Sequence, residues 1–205
     1  KFTLILWTVI GIILQYELLF LFAGLVVISA LYSSVGHGGA SGYLAILSLS
    51  SYAAMSHIWL KQHVWIMNLV VASIAFYHYN RAGHHIPKLT IPFIIGSIPM
   101  AFIGGMLDID AELYDLLLSI TLVWAAYKIV NFNQDLPSQI TSLRKYEPYF
   151  WGGGIGFISG IIGVGGGIFL SPIILLKRWA NVKSTAATAA VFIFVNSLSG
   201  LIGMG

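Results

Sequence analysis

Two glycine clusters at matching places constrain this chain most. Residues 35–42 read Val-Gly-His-Gly-Gly-Ala-Ser-Gly, and residues 162–169 read Ile-Gly-Val-Gly-Gly-Gly-Ile-Phe. Gly36 pairs with Gly163, Gly38 with Gly165 and Gly39 with Gly166, all at one offset of 127 residues. Each cluster follows an apolar run and precedes another. Glycine costs roughly 1 kcal/mol relative to alanine inside a helix, so each cluster predicts a helix break. Paired breaks in two halves of an apolar chain mark the substrate site of some membrane carriers. Small residues also let membrane helices pack closely, but duplication of the whole stretch favours the site.

The surroundings of the clusters are those of a bilayer protein. Of the 205 residues 58% are apolar and 8% charged, against about 25% charged in soluble domains. Mean hydropathy is +0.89. Several runs approach the ~20 apolar residues that cross a bilayer as a helix. The absence of cysteine excludes disulfides, thiolate metal sites and cysteine nucleophiles. The net charge of +3 reports membrane orientation, not nucleic-acid binding. The fold class expected is all-α, a polytopic transmembrane helical bundle.

In order, residues 2–14 are short for a span and read as an interfacial or signal-like segment, or as the front of one long helix. Spans are expected at 16–34, 59–79, 91–107, 113–130 and 184–202, with 149–162 leading into the second cluster. Residues 43–54 and 168–176 read as half-helices after the glycines. The organisation expected is an extra N-terminal segment at 1–15, a first repeat at 16–131, a cytoplasmic linker at 132–148 and a second, inverted repeat at 149–205. The first half continues past its asparagine with two spans and the second does not, so about two further spans are expected beyond this sequence. Asn68 and Asn196 fall inside spans at nearly the glycine offset.

Counting spans from Tyr16 puts Arg81, Lys88, Lys128, Arg144, Lys145, Lys177, Arg178 and Lys183 on one side, eight of the ten lysines and arginines. That side is the cytoplasm by the positive-inside rule. The count also gives an odd number of crossings between the clusters. The halves are then inverted, and two broken or re-entrant helices face each other near mid-membrane. Multi-pass insertion in a prokaryotic plasma membrane follows as the expected location.

A helix that begins at mid-membrane offers unpaired N–H groups and a positive dipole end, which suits a small anion. Glu17 and Asp115 lie only near span ends, so carboxylates for a cation site are lacking. Candidate substrate-binding residues are Gly36, His37, Gly38, Gly39, Ser41, Asn68, Gly163, Gly165, Gly166, Gly167 and Asn196. His37 can bond substrate or carry a coupling proton; Val164 holds its equivalent position. Ser41 reads foremost as a helix cap. Asn68 and Asn196 can face the cavity or bond neighbouring helices. Lys61, Gln62 and His63 read as interfacial residues whose heads snorkel to water. His84 and His85 read as a solvated loop rather than a metal site, and the tryptophans mostly as interface anchors.

The stretches Val-Gly-His-Gly-Gly-Ala-Ser-Gly-Tyr-Leu-Ala and Gly-Ile-Ile-Gly-Val-Gly-Gly-Gly-Ile-Phe-Leu-Ser-Pro-Ile-Ile-Leu resemble the paired loops of the TauE/SafE sulfite exporter family. The resemblance runs from Leu18 to Gly205. It implies a carrier built from a duplicated unit, with sulfite, sulfoacetate or related sulfonates as substrates and no enzymatic activity or cofactor. Gly36, Gly38, Gly39, Gly163, Gly165, Gly166 and Gly167 fall on its glycine motifs. His37 and Ala40 depart from its usual residues.

Two other readings stay open at this level. Gly39-Ala40-Ser41-Gly42 resembles the nucleophile motif of rhomboid intramembrane proteases, with His63 as the base such a serine needs. A passive anion channel would also need a polar path at mid-membrane.

Overall fold

The computed structural model describes residues 2–34, 36–130, 141–142 and 144–205. Val35 of the first glycine cluster and most of the connection at 132–148 lie outside the described residues. The order is α1 (Phe2–Ser33), α2 (Ala40–Ser48), a 3-10 turn (Ser51–Ala54), α3 (His57–Arg81), α4 (Pro87–Met106), α5 (Ala111–Val130), α6 (Glu147–Ile162), α7 (Gly167–Leu176) and α8 (Val182–Met204). No strand occurs among the described residues. Segments Gln15–Ser33, His57–Arg81, Pro87–Met106 and Val182–Met204 are long and apolar enough to cross a membrane. Residues 2–14 join α1, a continuous helix of 32 residues and about 48 Å.

Local chemistry sets the boundaries. Ser56 accepts the Trp59 N–H at the start of α3, and Asn181 accepts the Ser184 N–H at the start of α8. Pro87 opens α4, where its missing N–H costs nothing. Arg81 and the turn at Gly83 (φ +77°) end α3. The intervening loop is less solvated than its polar sequence suggests. His84 and His85 are both half-buried, and His85 meets the Phe76 ring edge-on at 5.1 Å. Burial pushes the His85 imidazole below its ordinary range.

Many apolar side chains face outward while several polar ones are buried with the apolar core. Asn68, Thr90, Ser97, Thr188, Asn196 and Ser197 are buried, whereas Leu19, Phe20, Phe22 and Leu31 of α1 are exposed. That is the pattern expected where the solvent is lipid and association rests on close packing and interhelical hydrogen bonds. Thr90 and Thr188 hydroxyls meet at 3.0 Å, and the Ser199 hydroxyl donates to the Ile98 carbonyl at 2.7 Å. Trp65 departs from the interfacial expectation, for it is fully buried where Gly200 leaves space beside its ring.

The closest helix contact joins α4 to α6. Gly152, Gly156 and Gly160 recur every four residues and so lie on one stripe of α6. A Cβ on these three would meet the carbonyl oxygens of Phe93, Ser97 and Ala101 at 2.3, 2.6 and 2.4 Å. The other side of α6 is open, since a Cβ on Gly154 would meet nothing within 4 Å. Glycine therefore has a packing role on α6 distinct from its role in the two clusters.

The short helices match in register. Their nine and ten residues give about 13 and 15 Å, near half the ~30 Å hydrocarbon thickness. Tyr43 and Leu47 of α2 are buried in one apolar cluster, and Leu170 and Ile174 of α7, 127 residues on, in another. Each short helix returns beside the helix that precedes it. The Ser51 N–H donates to Glu17 of α1 at 2.6 Å, and Lys177, just after α7, pairs with Glu147 at the start of α6.

Packing on α6 predicts opposite outcomes for two glycines. Gly160→Ala should destabilise by about 1–3 kcal/mol, the cost of overpacking. Gly154→Ala should be neutral or stabilise by up to about 1 kcal/mol. Thermal unfolding of both variants in detergent checks the pair.

Candidate functional site

The two glycine clusters share left-handed backbone at two matched pairs, Gly36 with Gly163 and Gly39 with Gly166, whereas Gly165 (φ +73°) is left-handed and its counterpart Gly38 is not. Gly36 (φ +76°) ends the first long helix, with its N–H on the Ser33 carbonyl and the His37 N–H on the Tyr32 carbonyl. Gly163 (φ +90°) ends α6, with its N–H on the Ser159 carbonyl. Gly39 (φ +93°) and Gly166 (φ +85°) then cap α2 and α7, and neither helix has a side-chain cap. The Tyr43 N–H bonds the Gly39 carbonyl and the Leu170 N–H the Gly166 carbonyl, again 127 apart. Left-handed φ at four matched positions explains glycine there. The first N–H groups of α2 and α7 have no intrahelical acceptor.

Ser41 is accordingly not the cap expected from its sequence position. Gly39 takes that place because only its φ suits the turn. Ser41 lies one residue inside α2, where its hydroxyl meets the Tyr32 hydroxyl at 3.1 Å.

α3 and α8 run antiparallel between the two loops. Trp65 packs on Gly200, while the Asn68 amide donates to the Ser197 hydroxyl at 3.3 Å. Near one end, Gly36 sits on the Ala186 backbone and the Tyr79 hydroxyl donates to the Ser34 carbonyl at 2.7 Å. Near the other, Gly163 sits on Lys61. The loops meet between these levels. A Cβ on Gly38 would lie 2.5 Å from Asn68 Oδ1, and one on Gly165 would lie 2.8 Å from Asn68 Nδ2. Both would also touch Ile193. Asn68 is fully buried, and its Oδ1 has no hydrogen-bond partner among the described residues.

A cavity of about 10 Å3 remains between the loops, room for one water. His37, Gly38, Gly39 and Ser41 line it with Tyr32, Ala40, Val164, Ile168 and Ile193, and no carboxylate does. His37 and Val164 thus face one cavity from equivalent positions. The His37 ring is half-buried and edge-on to Tyr32 at 6.4 Å. Gly166 packs on Ser159 and Phe192, and Gly167 on Ile193. Asn196 is buried in α8, and neither of its amide atoms has a partner among the described residues.

Lys61 corrects the sequence reading. It is 1% exposed, so its head does not snorkel to an interface. Its stem fits against Gly163, which has no side chain, 2.8 Å from where a Cβ would be. Nearby, the Tyr114 hydroxyl donates to the Ile162 carbonyl at 3.2 Å, and His57 pairs with Asp108 at 3.1 Å. Tyr32, Ile193, Ser197 and Lys61 are the site residues that sequence reasoning missed. Ile193 and Ser197, four residues apart, share one face of α8, but nothing local in the sequence ties that face to the loops.

A family model for the sulfite exporter TauE/SafE matches residues 20–205. The chain belongs to the TauE/SafE family. It is also 33% identical over 181 residues to the probable membrane transporter protein y4hK of Sinorhizobium fredii (strain NBRC 101917 / NGR234), covering 86% of this chain and 72% of that protein. No solved structure matches the chain. Membership in a TauE/SafE transporter family, together with the apolar helices, makes this a multi-pass membrane protein.

The protease alternative is not favoured. His63 is exposed, stacks on Trp59 at 3.7 Å and keeps Nδ1 on the Trp59 carbonyl at 2.8 Å. Ser41 has Tyr32, not an imidazole, as its partner. A serine without a base is a poor nucleophile. A serine-directed fluorophosphonate should therefore leave the protein unlabelled, as read by mass spectrometry of the peptide holding Ser41.

Proposed function

We propose that this protein is a secondary carrier for a small sulfur oxyanion, sulfite or an organosulfonate, working by alternating access. The anion rests between the two glycine loops, against the N-terminal amides of α2 and α7. The observation that carries this reading is the meeting of Gly38 and Gly165 on opposite sides of one buried amide. Both loops lack a Cβ where they meet this amide, so Asn68 holds them together beside the small cavity that the Gly38 backbone lines.

Charge supports an anion. Two helix N-termini contribute partial positive charge of about half a unit each, strengthened in a low-dielectric setting. His37, Ser41 and Tyr32 add donors at the cavity, and no carboxylate opposes them. A proton carried on His37 is the coupling mechanism this arrangement suits.

Matched loops entering from opposite ends of an antiparallel helix pair suit an inverted repeat with two re-entrant elements. In that reading residues 16–131 and 149–205 form the two repeats. A cavity holding one water is too small for sulfite, so binding requires one end to open. On one side the contacts to release are Gly36 on Ala186 and Tyr79 on Ser34; on the other they are Gly163 on Lys61 and Tyr114 on Ile162. Opening them in turn exposes the same amides to alternate sides.

Flux of radiolabelled sulfite in proteoliposomes tests the reading. Wild-type protein should take up sulfite faster when sulfite is preloaded inside, a property of carriers and not of channels. Asn68→Ala should weaken sulfite binding by about 10- to 100-fold, because the buried amide braces Gly38 and Gly165, and should lower the unfolding temperature as well, because it removes the bond to Ser197, while unfolding stays cooperative. No movement of any sulfur oxyanion under proton, sodium or anion gradients would overturn it.

A further inference from the structure

A second cavity, of about 400 Å3, lies beside the first loop. Ser33 and Ser34, the last residues before that loop, form one wall. His78 and Tyr79 from the end of α3, His84 from the following turn and Lys183 from the start of α8 form the rest of its polar lining. Tyr32, the residue preceding Ser33, lines the small cavity between the loops. The two spaces are thus one residue apart along α1, on the face that the lysine and arginine count assigns to the cytoplasm.

The chemistry of the larger cavity is one-sided. It holds an ammonium, two imidazoles and three hydroxyls, and no carboxylate lines it. Lys183 makes no ion pair among the described residues. It also sits in the first turn of α8, where the helix dipole already places positive charge. A cation there works against the stability of its own helix, and an anion in the cavity would relieve both. Ile74 and Ala75 supply an apolar wall, which suits the organic part of a sulfonate. The volume accommodates an anion with part of its hydration shell, unlike the one-water cavity at the loops.

We infer that this cavity is a separate oxyanion site, a vestibule in which Lys183, His78 and His84 collect the anion from the cytoplasmic solution beside the first loop. The inference rests on the anion-carrier reading above and adds a site to it. A soluble sulfur oxyanion is the occupant; a phospholipid phosphate shares the same chemistry and is the competing source.

Equilibrium binding of radiolabelled sulfite to the purified full chain, in a detergent with an uncharged head, separates the cases. Wild-type protein should bind two anions per chain. The double variant Lys183→Gln/His84→Gln should bind one, and Asn68→Ala should bind the other. In phosphatidylcholine proteoliposomes the double variant should raise half-saturation from the cytoplasmic face at least fivefold, with maximal flux unchanged and less sensitivity to ionic strength. Lys183 is exposed and His84 only half-buried, so thermal unfolding should show the double variant folded. One anion per chain, lost in Asn68→Ala and kept in the double variant, would overturn the vestibule and leave the carrier reading. One anion lost only in the double variant would overturn the central site instead. No binding by wild type would overturn both. Displacement of the Lys183-dependent anion by stoichiometric phosphatidylglycerol would overturn a soluble anion as its occupant.

Discussion

Backbone amides that leave a helix inside a membrane have no water to bond, and each unsatisfied group costs several kcal/mol in hydrocarbon. The rest of this structure depends on how that cost is contained at Gly36–Gly39 and Gly163–Gly166. Left-handed glycines end one helix and cap the next within four residues, so each interruption is as short as the backbone allows. The interruptions are then wrapped in protein: Ala186, Lys61, Asn68, Ile193, Ser159 and Phe192 take the space that side chains would occupy. Non-helical backbone at this depth is tolerated where protein or a polar cavity surrounds it. Residues 38–41 at the start of α2 and Ile168 at the start of α7 line the small space between the loops, and in the proposed carrier a ligand with negative charge would occupy it.

Small residues bring the surrounding helices together beside the two buried apolar clusters. The stripe Gly152, Gly156 and Gly160 draws α6 onto α4 until carbonyls meet α-carbons. Gly105 meets Gly200, and Gly203 meets the Phe102 carbonyl, drawing α8 onto the same helix. Hydroxyl pairs such as Thr90 with Thr188 fix register between helices in a solvent that offers no competing partner. Rigid contact between α4, α6 and α8 and lighter contact around α2 and α7 would let the short helices move while the frame stays fixed.

Much of this was legible in the sequence because it is local. The breaks follow from glycine clusters, the spans from apolar length, and the pairing of the loops from a single offset. The later long helices fall within a few residues of their expected bounds, whereas α1 starts fourteen residues before the expected span and takes in residues 2–14. What was not legible depends on contacts between distant segments. Lys61 looks interfacial from its neighbours, and only the approach of Gly163 buries it. Ser41 looks like a cap because serine caps well, yet the φ of Gly39 claims that role. Tyr32, Ile193 and Ser197 carry no motif; they matter because α1 and α8 bring them to Asn68 and the loops. Trp65 is buried because Gly200, 135 residues away, has no side chain. The protease motif at Ser41 fails for the same kind of reason, since a four-residue match says nothing about where a base lies.

The central claim is that the two glycine loops hold an oxyanion between them. Crystals grown with selenite, a heavier analogue of sulfite, test it directly through anomalous scattering from selenium. The account predicts a selenium peak in the space between the loops that Gly38, Gly39, Ser41, Val164 and Ile168 line, within reach of the first amides of α2 and α7. Selenium found only at sites away from both loops, in protein that binds sulfite in solution, would contradict it.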